Sequence, residues 1–221
     1  MVTLYEETSV PAKPVWRVNG IHETNTRGYL LDGENAAGTS FGEVKAGTIL
    51  ALHESASGKV RPSGAAQVDG LQAGVNDILT DGAETIFVGD VVTLYDPDGT
   101  VVAAARNVTA VVLATKIVTI DGGVVTAADN GFLLVDGGYI PVGILHDQPD
   151  TIRRVAATNL EREHSVTVGL EGTAKTASVI GLTDLTKKML AGGIVEVATT
   201  FDGIPADGQF TSNVAGFLFR S

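Results

Sequence analysis

Gly38-Thr39-Ser40-Phe41-Gly42 carries the G-x-S-x-G spacing of a nucleophile elbow. In that device a serine sits on a sharp turn between a buried strand and a helix, where its hydroxyl meets a base and an oxyanion hole. Here Asp32-Gly33-Glu34-Asn35 precedes the stretch and Glu43-Val44-Lys45-Ala46-Gly47 follows it. Neither flank spells the required context, so the stretch reads as a glycine-rich loop. The four histidines each stand beside a carboxylate: His22-Glu23, His53-Glu54, His146-Asp147 and Glu163-His164. Adjacent residues of a strand point to opposite faces, so adjacency alone makes no pair. The histidines lie far apart, with none of the short spacings of a metal site, and read as residues of turns and strand ends. Asp96, Asp98 and Thr100 alternate like the first ligands of a calcium loop, but the later Glu is missing. Asp96-Pro97-Asp98-Gly99 is better explained as a turn, in which Pro presets φ and Gly accepts a positive φ. No glycine cluster has both the preceding strand and the following helix that a phosphate loop needs. Asn107-Val108-Thr109 fits a glycosylation acceptor, which has no consequence without a secretory signal. The absence of cysteine removes disulfides, thiolate metal sites and a cysteine nucleophile together. No catalytic residue, cofactor or metal is expected.

The elements that would position any site are short strands. Of 221 residues, 44% are apolar, 5% aromatic and 19% charged, and 27 are glycine. Small and β-branched residues with many glycines suit strands joined by tight turns. The stretch Gly131 to Asp150 sets the pattern. Phe132–Val135 is an apolar run, Asp136-Gly137-Gly138 a turn, and Tyr139–Leu145 the expected return strand of a hairpin. Thr48–Leu52 with Lys59–Arg61 is a second hairpin. Glu84–Tyr95 and Thr100–Ala105 flank the Asp-Pro-Asp-Gly turn. Val108–Ala114 follows Arg106-Asn107, and Lys116–Ile120 with Val124–Thr126 is another expected hairpin. Ser165–Leu170 alternates, and Thr176–Leu182 is a further strand candidate. Thr183–Leu190 is the best helix: Thr183 can cap it, Asp184 opens it, and Lys187 and Lys188 lie near Gly192-Gly193 at its end. Leu185, Met189 and Leu182 would face the sheet. These patterns predict a mainly β protein, a short-stranded barrel or sandwich with one or two short helices.

Residues 1–25 read as an extended N-terminal arm. Pro11 and Pro14 bracket Lys13, and Trp16, the single tryptophan, follows. Prolines at that spacing favour extended geometry that loses little entropy on docking. Val2, Leu4, Tyr5, Val10, Pro11, Pro14, Val15 and Trp16 are the candidate partner-binding residues. The alternative is an edge strand whose tryptophan packs on its own domain. Residues 26–221 form the β-rich domain, read as one unit or as two fused units of about 40–115 and 125–221. A net charge of −11 repels a phosphate backbone and argues against nucleic acid as partner. Met1–Val10 lacks the basic and apolar regions of a signal peptide, and no run approaches the roughly 18 apolar residues of a membrane span.

GTILALHESASGKVRP from Gly47, then Gly70-Leu71 and ETIFVGDVVTLYDP from Glu84, resemble the tailed-phage head decoration (capsid cement) proteins. That family has an extended N-terminal arm, a G-x-L-A-L … G-K-x-x-P hairpin and an x-G-I-L strand, here Val142-Gly143-Ile144-Leu145. The resemblance covers residues 40–150. This chain is longer than the small lambda-type members, and its hairpin and G-I-L strand fall in different halves. The resemblance implies a β-tulip-like fold, homotrimers or smaller clusters on the capsid exterior, and the major capsid protein as partner. It also implies a virion location, after assembly in the host cytoplasm, and a stabilising role without catalysis. The alternatives are another virion component, such as a fibre base or baseplate protein, or a β-barrel binding module or enzyme.

Overall fold

In the computed structural model the described residues are 16–24, 29–35, 37–38, 41–42, 44–52, 59–146, 154–155, 159–160, 163–190, 195–196, 209–210 and 217–220. Strands dominate them. In chain order they are β1 (Trp16–Thr24), β2 (Tyr29–Asp32), β3 (Ile49–Leu52), β4 (Lys59–Pro62), β5 (Ala65–Val68), β6 (Gln72–Val75) and β7 (Asp77–Asp81). Next come β8 (Val91–Tyr95), β9 (Val101–Val112), β10 (Ile117–Ile120), β11 (Val125–Ala127), β12 (Phe132–Val135) and β13 (Pro141–Leu145). The remainder are β14 (Arg154–Val155), β15 (Asn159–Leu160), β16 (Glu163–Val166), β17 (Val168–Lys175), β18 (Val195–Glu196), β19 (Gln209–Phe210) and β20 (Phe217–Arg220). One α-helix, α1 (Asp184–Leu190), and two 3-10 turns accompany them.

Six strands close a barrel in the order β10-β7-β5-β12-β8-β9, every neighbouring pair antiparallel. Ile78, Val92, Leu94, Val118, Ile120 and Leu133 fill its interior. The second body is an eight-stranded sheet in the order β1-β17-β13-β3-β4-β2-β16, with β20 also on β17. The barrel strands all fall between Ala65 and Val135, with only β6 and β11 of a separate two-stranded ribbon among them, and strands of the large sheet lie on both sides of that interval. The barrel is therefore an insertion between β4 and β13. This partition differs from a division near 40–115 and 125–221: β3 and β4, in the first span, belong to the sheet, and β12, in the second, to the barrel.

The organising stretch holds a correction. Phe132–Val135 and Pro141–Leu145 are strands, but they do not form a hairpin. A turn is present, since Gly137 has φ 69° and the Gly138 N–H donates to the Val135 carbonyl at 3.1 Å. The two strands then part, β12 into the barrel and β13 into the sheet. Each finds a longer ladder elsewhere, β12 with β5 and β8, β13 with β3 and β17. The expected hairpin of Lys116–Ile120 with Val124–Thr126 also fails to pair: β10 joins β7 and β9, while β11 pairs with β6. Arg106-Asn107 lies inside β9 rather than between two strands. That strand bends at Ala105, where φ is 49°, and so reaches β8 with one part and β10 with the other. Thr176–Ser178 is a 3-10 turn, not a strand. The hairpins β3–β4 and β8–β9 pair as their sequences predict.

The helix forms where expected. Thr183 caps it: its hydroxyl accepts the Thr186 N–H at 3.1 Å, and the Thr186 hydroxyl accepts the Thr183 N–H at 2.8 Å. This is a capping box with a threonine in the usual Glu position. Leu185 and Met189 pack with Tyr95, Phe132 and Leu134 of the barrel wall, while Leu190 and Leu182 pack with Ile49 and Ile144 of the sheet. The helix is thus a wedge between the two bodies, so Leu185 and Met189 face the barrel rather than the sheet.

Candidate functional site

The hairpin and the G-I-L strand on which the family resemblance rests are neighbours. β13 lies beside β3, with Pro141 opposite Ala51, Gly143 opposite Leu50 and Ile144 opposite Ile49. β3 lies beside β4, with Leu50 opposite Pro62 and Leu52 opposite Val60. The inserted barrel separates these strands in sequence and leaves them adjacent in space. Ile49, Leu50, Ala51, Ile144 and Leu145 are all fully buried. Gly143 has a steric role. A Cβ there would lie 2.3 Å from the Gly169 carbonyl oxygen and 2.5 Å from a Val168 methyl, so only glycine lets β17 cross this close.

The chain passes from sheet to barrel at Ser63-Gly64 and returns at 136–140. The two crossings are tied together. The Gly64 N–H donates to the Gly138 carbonyl at 2.9 Å, the Val135 N–H to the Gly64 carbonyl at 2.7 Å, and the Ser63 hydroxyl to the Tyr139 carbonyl at 2.9 Å. Arg61 of β4 points into this joint. Its guanidinium donates to both carboxylate oxygens of Asp90, at 3.0 and 2.9 Å, and its Nε donates to the Pro62 carbonyl at 3.1 Å. It also lies 4.9 Å from the centre of the Phe41 ring. Asp90 takes the Phe87 N–H at 2.9 Å as well. Both side chains are almost wholly buried. A buried bidentate pair in which each nitrogen of the guanidinium and each oxygen of the carboxylate has a partner fixes geometry, and here it fixes the barrel on the sheet. Gly138 allows this, because a Cβ there would lie 2.7 Å from Arg61 Cδ. Arg61 and Asp90 were not among the candidate residues. The only sequence signal was an arginine set among apolar residues in Lys59-Val60-Arg61-Pro62.

β1 and β16 end the large sheet. End strands present backbone groups that a further strand can pair. Trp16 opens β1 and stands opposite Ala174 of β17, with register shifts along the pair. From Trp16 to Thr24 the chain is therefore an end strand of its own sheet, which shortens the arm expected over 1–25. β17 offers that segment a ladder, and a free arm would leave those groups to water. Val2, Leu4, Tyr5, Val10, Pro11, Pro14 and Val15 lie outside the described residues.

No protein-family model matches the chain, and no curated protein or solved structure matches it either.

The remaining candidates are dispersed. His22 lies in β1, His164 in β16, and His146 just after β13, where its N–H donates to the Thr167 carbonyl at 2.9 Å; His53 and Ser40 lie outside the described residues. Among the described residues no group of three His, Asp or Glu side chains could hold a metal ion. Asp96, Asp98 and Thr100 form a turn: the Asp96 N–H donates to the Thr100 carbonyl at 2.8 Å, and Asp98 accepts the Thr100 N–H at 2.9 Å. The Thr100 N–H and hydroxyl hold the Asp98 carboxyl below the usual carboxylate range. A polar cleft of 240 Å³ between α1 and the barrel is lined by Gln67, Asp69, Asp81, Asp129 and Lys187. A more apolar cleft of 280 Å³ is lined by Phe41, Val44, Phe87, Leu113 and Ile180. Among the described residues, its only ionisable lining residues are Lys45 and Glu84.

Proposed function

We propose that this chain is a structural capsid decoration protein, which binds the outer surface of a phage head and stabilises contacts between major capsid subunits. The observation that carries this reading is the adjacency of β4, β3 and β13, which unites the decoration-type hairpin with its G-I-L strand despite the insertion. Cementing needs contact area and strand edges rather than a reaction pocket. Residues Val2 to Val15 precede the end strand β1 in sequence, and an extended N-terminal segment can add a strand to a partner's edge. Several copies around a symmetry axis would then act together, so that weak single contacts sum to firm attachment. In this reading the chain converts no substrate, works on the capsid exterior and does not touch nucleic acid.

Deletion of residues 2–15 spares β1. The truncated protein should keep its melting temperature and lose co-sedimentation with expanded empty heads of its cognate phage. Undiminished co-sedimentation would remove the arm from the account. Failure of the full chain to co-sediment would remove the capsid role itself.

A further inference from the structure

β6 and β11 form a two-stranded ribbon outside the closed barrel. Val125 stands opposite Val75, Thr126 opposite Ala73, and Ala127 opposite Gln72; Gly74, with φ 67°, is the extra residue of a bulge. Opposed residues share a face. Val125 packs against the barrel core and Ala127 is buried, so this pair of strands has a definite inner side. The outer side carries Leu71, Ala73, Val124 and Thr126, all exposed. Leu71 at 72% and Val124 at 70% are the most exposed large apolar residues among those described.

The ribbon has no ionisable residue from Gly70 to Asn76 or from Gly122 to Ala128, in a chain with 26 acidic and 15 basic residues. Its base is fixed. The Gly70 N–H donates to Asp129 at 2.9 Å, and the Gln72 side chain bonds the Leu79 N–H and carbonyl at 2.9 and 3.0 Å. Asp121, at the far end, accepts the Asn107 N–H at 2.9 Å. A platform held in this way loses little freedom when it is covered. Among the described residues each ribbon strand pairs only with the other, which leaves an outer edge on both. Protected edges usually carry charge or proline, and this one carries neither.

We propose that the outer face of the β6–β11 ribbon is the contact surface between copies of this chain. Two molecules of net charge −11 repel each other wherever their charged surfaces meet. The ribbon lets them touch without facing carboxylates, and burial of Leu71 and Val124 supplies the attraction. A basic partner would instead be drawn to the acidic surface around it. This deepens the decoration reading by naming the surface between neighbouring copies, and rests on that reading only for its biological use.

The test is sedimentation velocity of the full chain over a range of concentrations at low and high salt, with Leu71→Glu and Val124→Glu beside the wild type. The wild type should associate, and more tightly at high salt as repulsion is screened. Each variant should weaken association at least about tenfold, as expected for replacing a buried aliphatic contact with a charge, with an unchanged melting temperature. Val124→Thr, nearly isosteric and exposed, should weaken it less and guards against misfolding of the Glu variants. A wild type that stays monomeric at every concentration, or an oligomer that all three variants leave intact, would overturn the proposal. Co-sedimentation with heads is read separately, so loss of capsid binding with self-association retained counts against the capsid role alone.

Discussion

Arg61 shows how one side chain can hold two bodies in a single arrangement. It leaves β4 of the sheet and reaches Asp90, which immediately precedes β8 of the barrel, with both groups out of water. The attraction between them is offset by the cost of desolvating each, so the pair matters most when one partner is lost. Arg61→Met leaves the Asp90 carboxylate buried without its cation and should destabilise the fold by about 3–5 kcal/mol in denaturant unfolding. The double variant Arg61→Met/Asp90→Leu should recover most of that loss. A single variant as stable as wild type would show that the joint is held by the surrounding backbone bonds alone. Gly138 and Gly143 belong to the same scale: each is glycine because another group passes where a Cβ would be. The sequence displays both glycines but not what passes them, since Arg61 and Val168 become neighbours only once the chain has folded.

At the scale of elements, legibility followed the range of the interactions. The hairpins β3–β4 and β8–β9 could be read because their turns close them locally. The capped helix could be read because Thr183 and Thr186 act within one turn. The Asp136-Gly137-Gly138 turn could be read, but not the parting of the strands on either side, because the partners of β12 and β13 lie far along the chain. The alternation in β9 was legible and its bend was not, because the positive φ falls at Ala105 rather than at a glycine. Of the candidate interface, only Trp16 falls among the described residues, as the first residue of an end strand. The end of the β9–β10 pairing away from its connecting turn carries a pH-sensitive tie. The Asn107 side chain and N–H hold the Asp121 carboxyl below the usual carboxylate range, with a smaller contribution from Arg106. A carboxyl lowered by folding stabilises the fold above its unfolded pKa, and that stability is lost as pH falls through the lower folded value. Asp121→Asn should therefore flatten the fall of melting temperature in that acid range, measured by circular dichroism. A melting profile parallel to that of wild type would contradict this.

At the scale of the molecule, the large sheet carries an inserted six-stranded barrel, held by two adjoining crossings, a buried ion pair and a wedge helix. The insertion explains why the hairpin and the G-I-L strand stand in different halves of the sequence. It also supplies the uncharged ribbon, at a distance in sequence from the N-terminal residues proposed to meet the capsid. In this account the sheet margin reaches the shell and the barrel reaches the neighbouring copy. The measurement that tests the central claim most directly is cryo-electron microscopy of expanded empty heads of the cognate phage, incubated with the full chain. The account predicts ordered density on the outer surface at capsid symmetry positions, with the β1 margin toward the shell and the β6–β11 ribbons meeting between copies. Heads with a bare outer surface under saturating protein would contradict it.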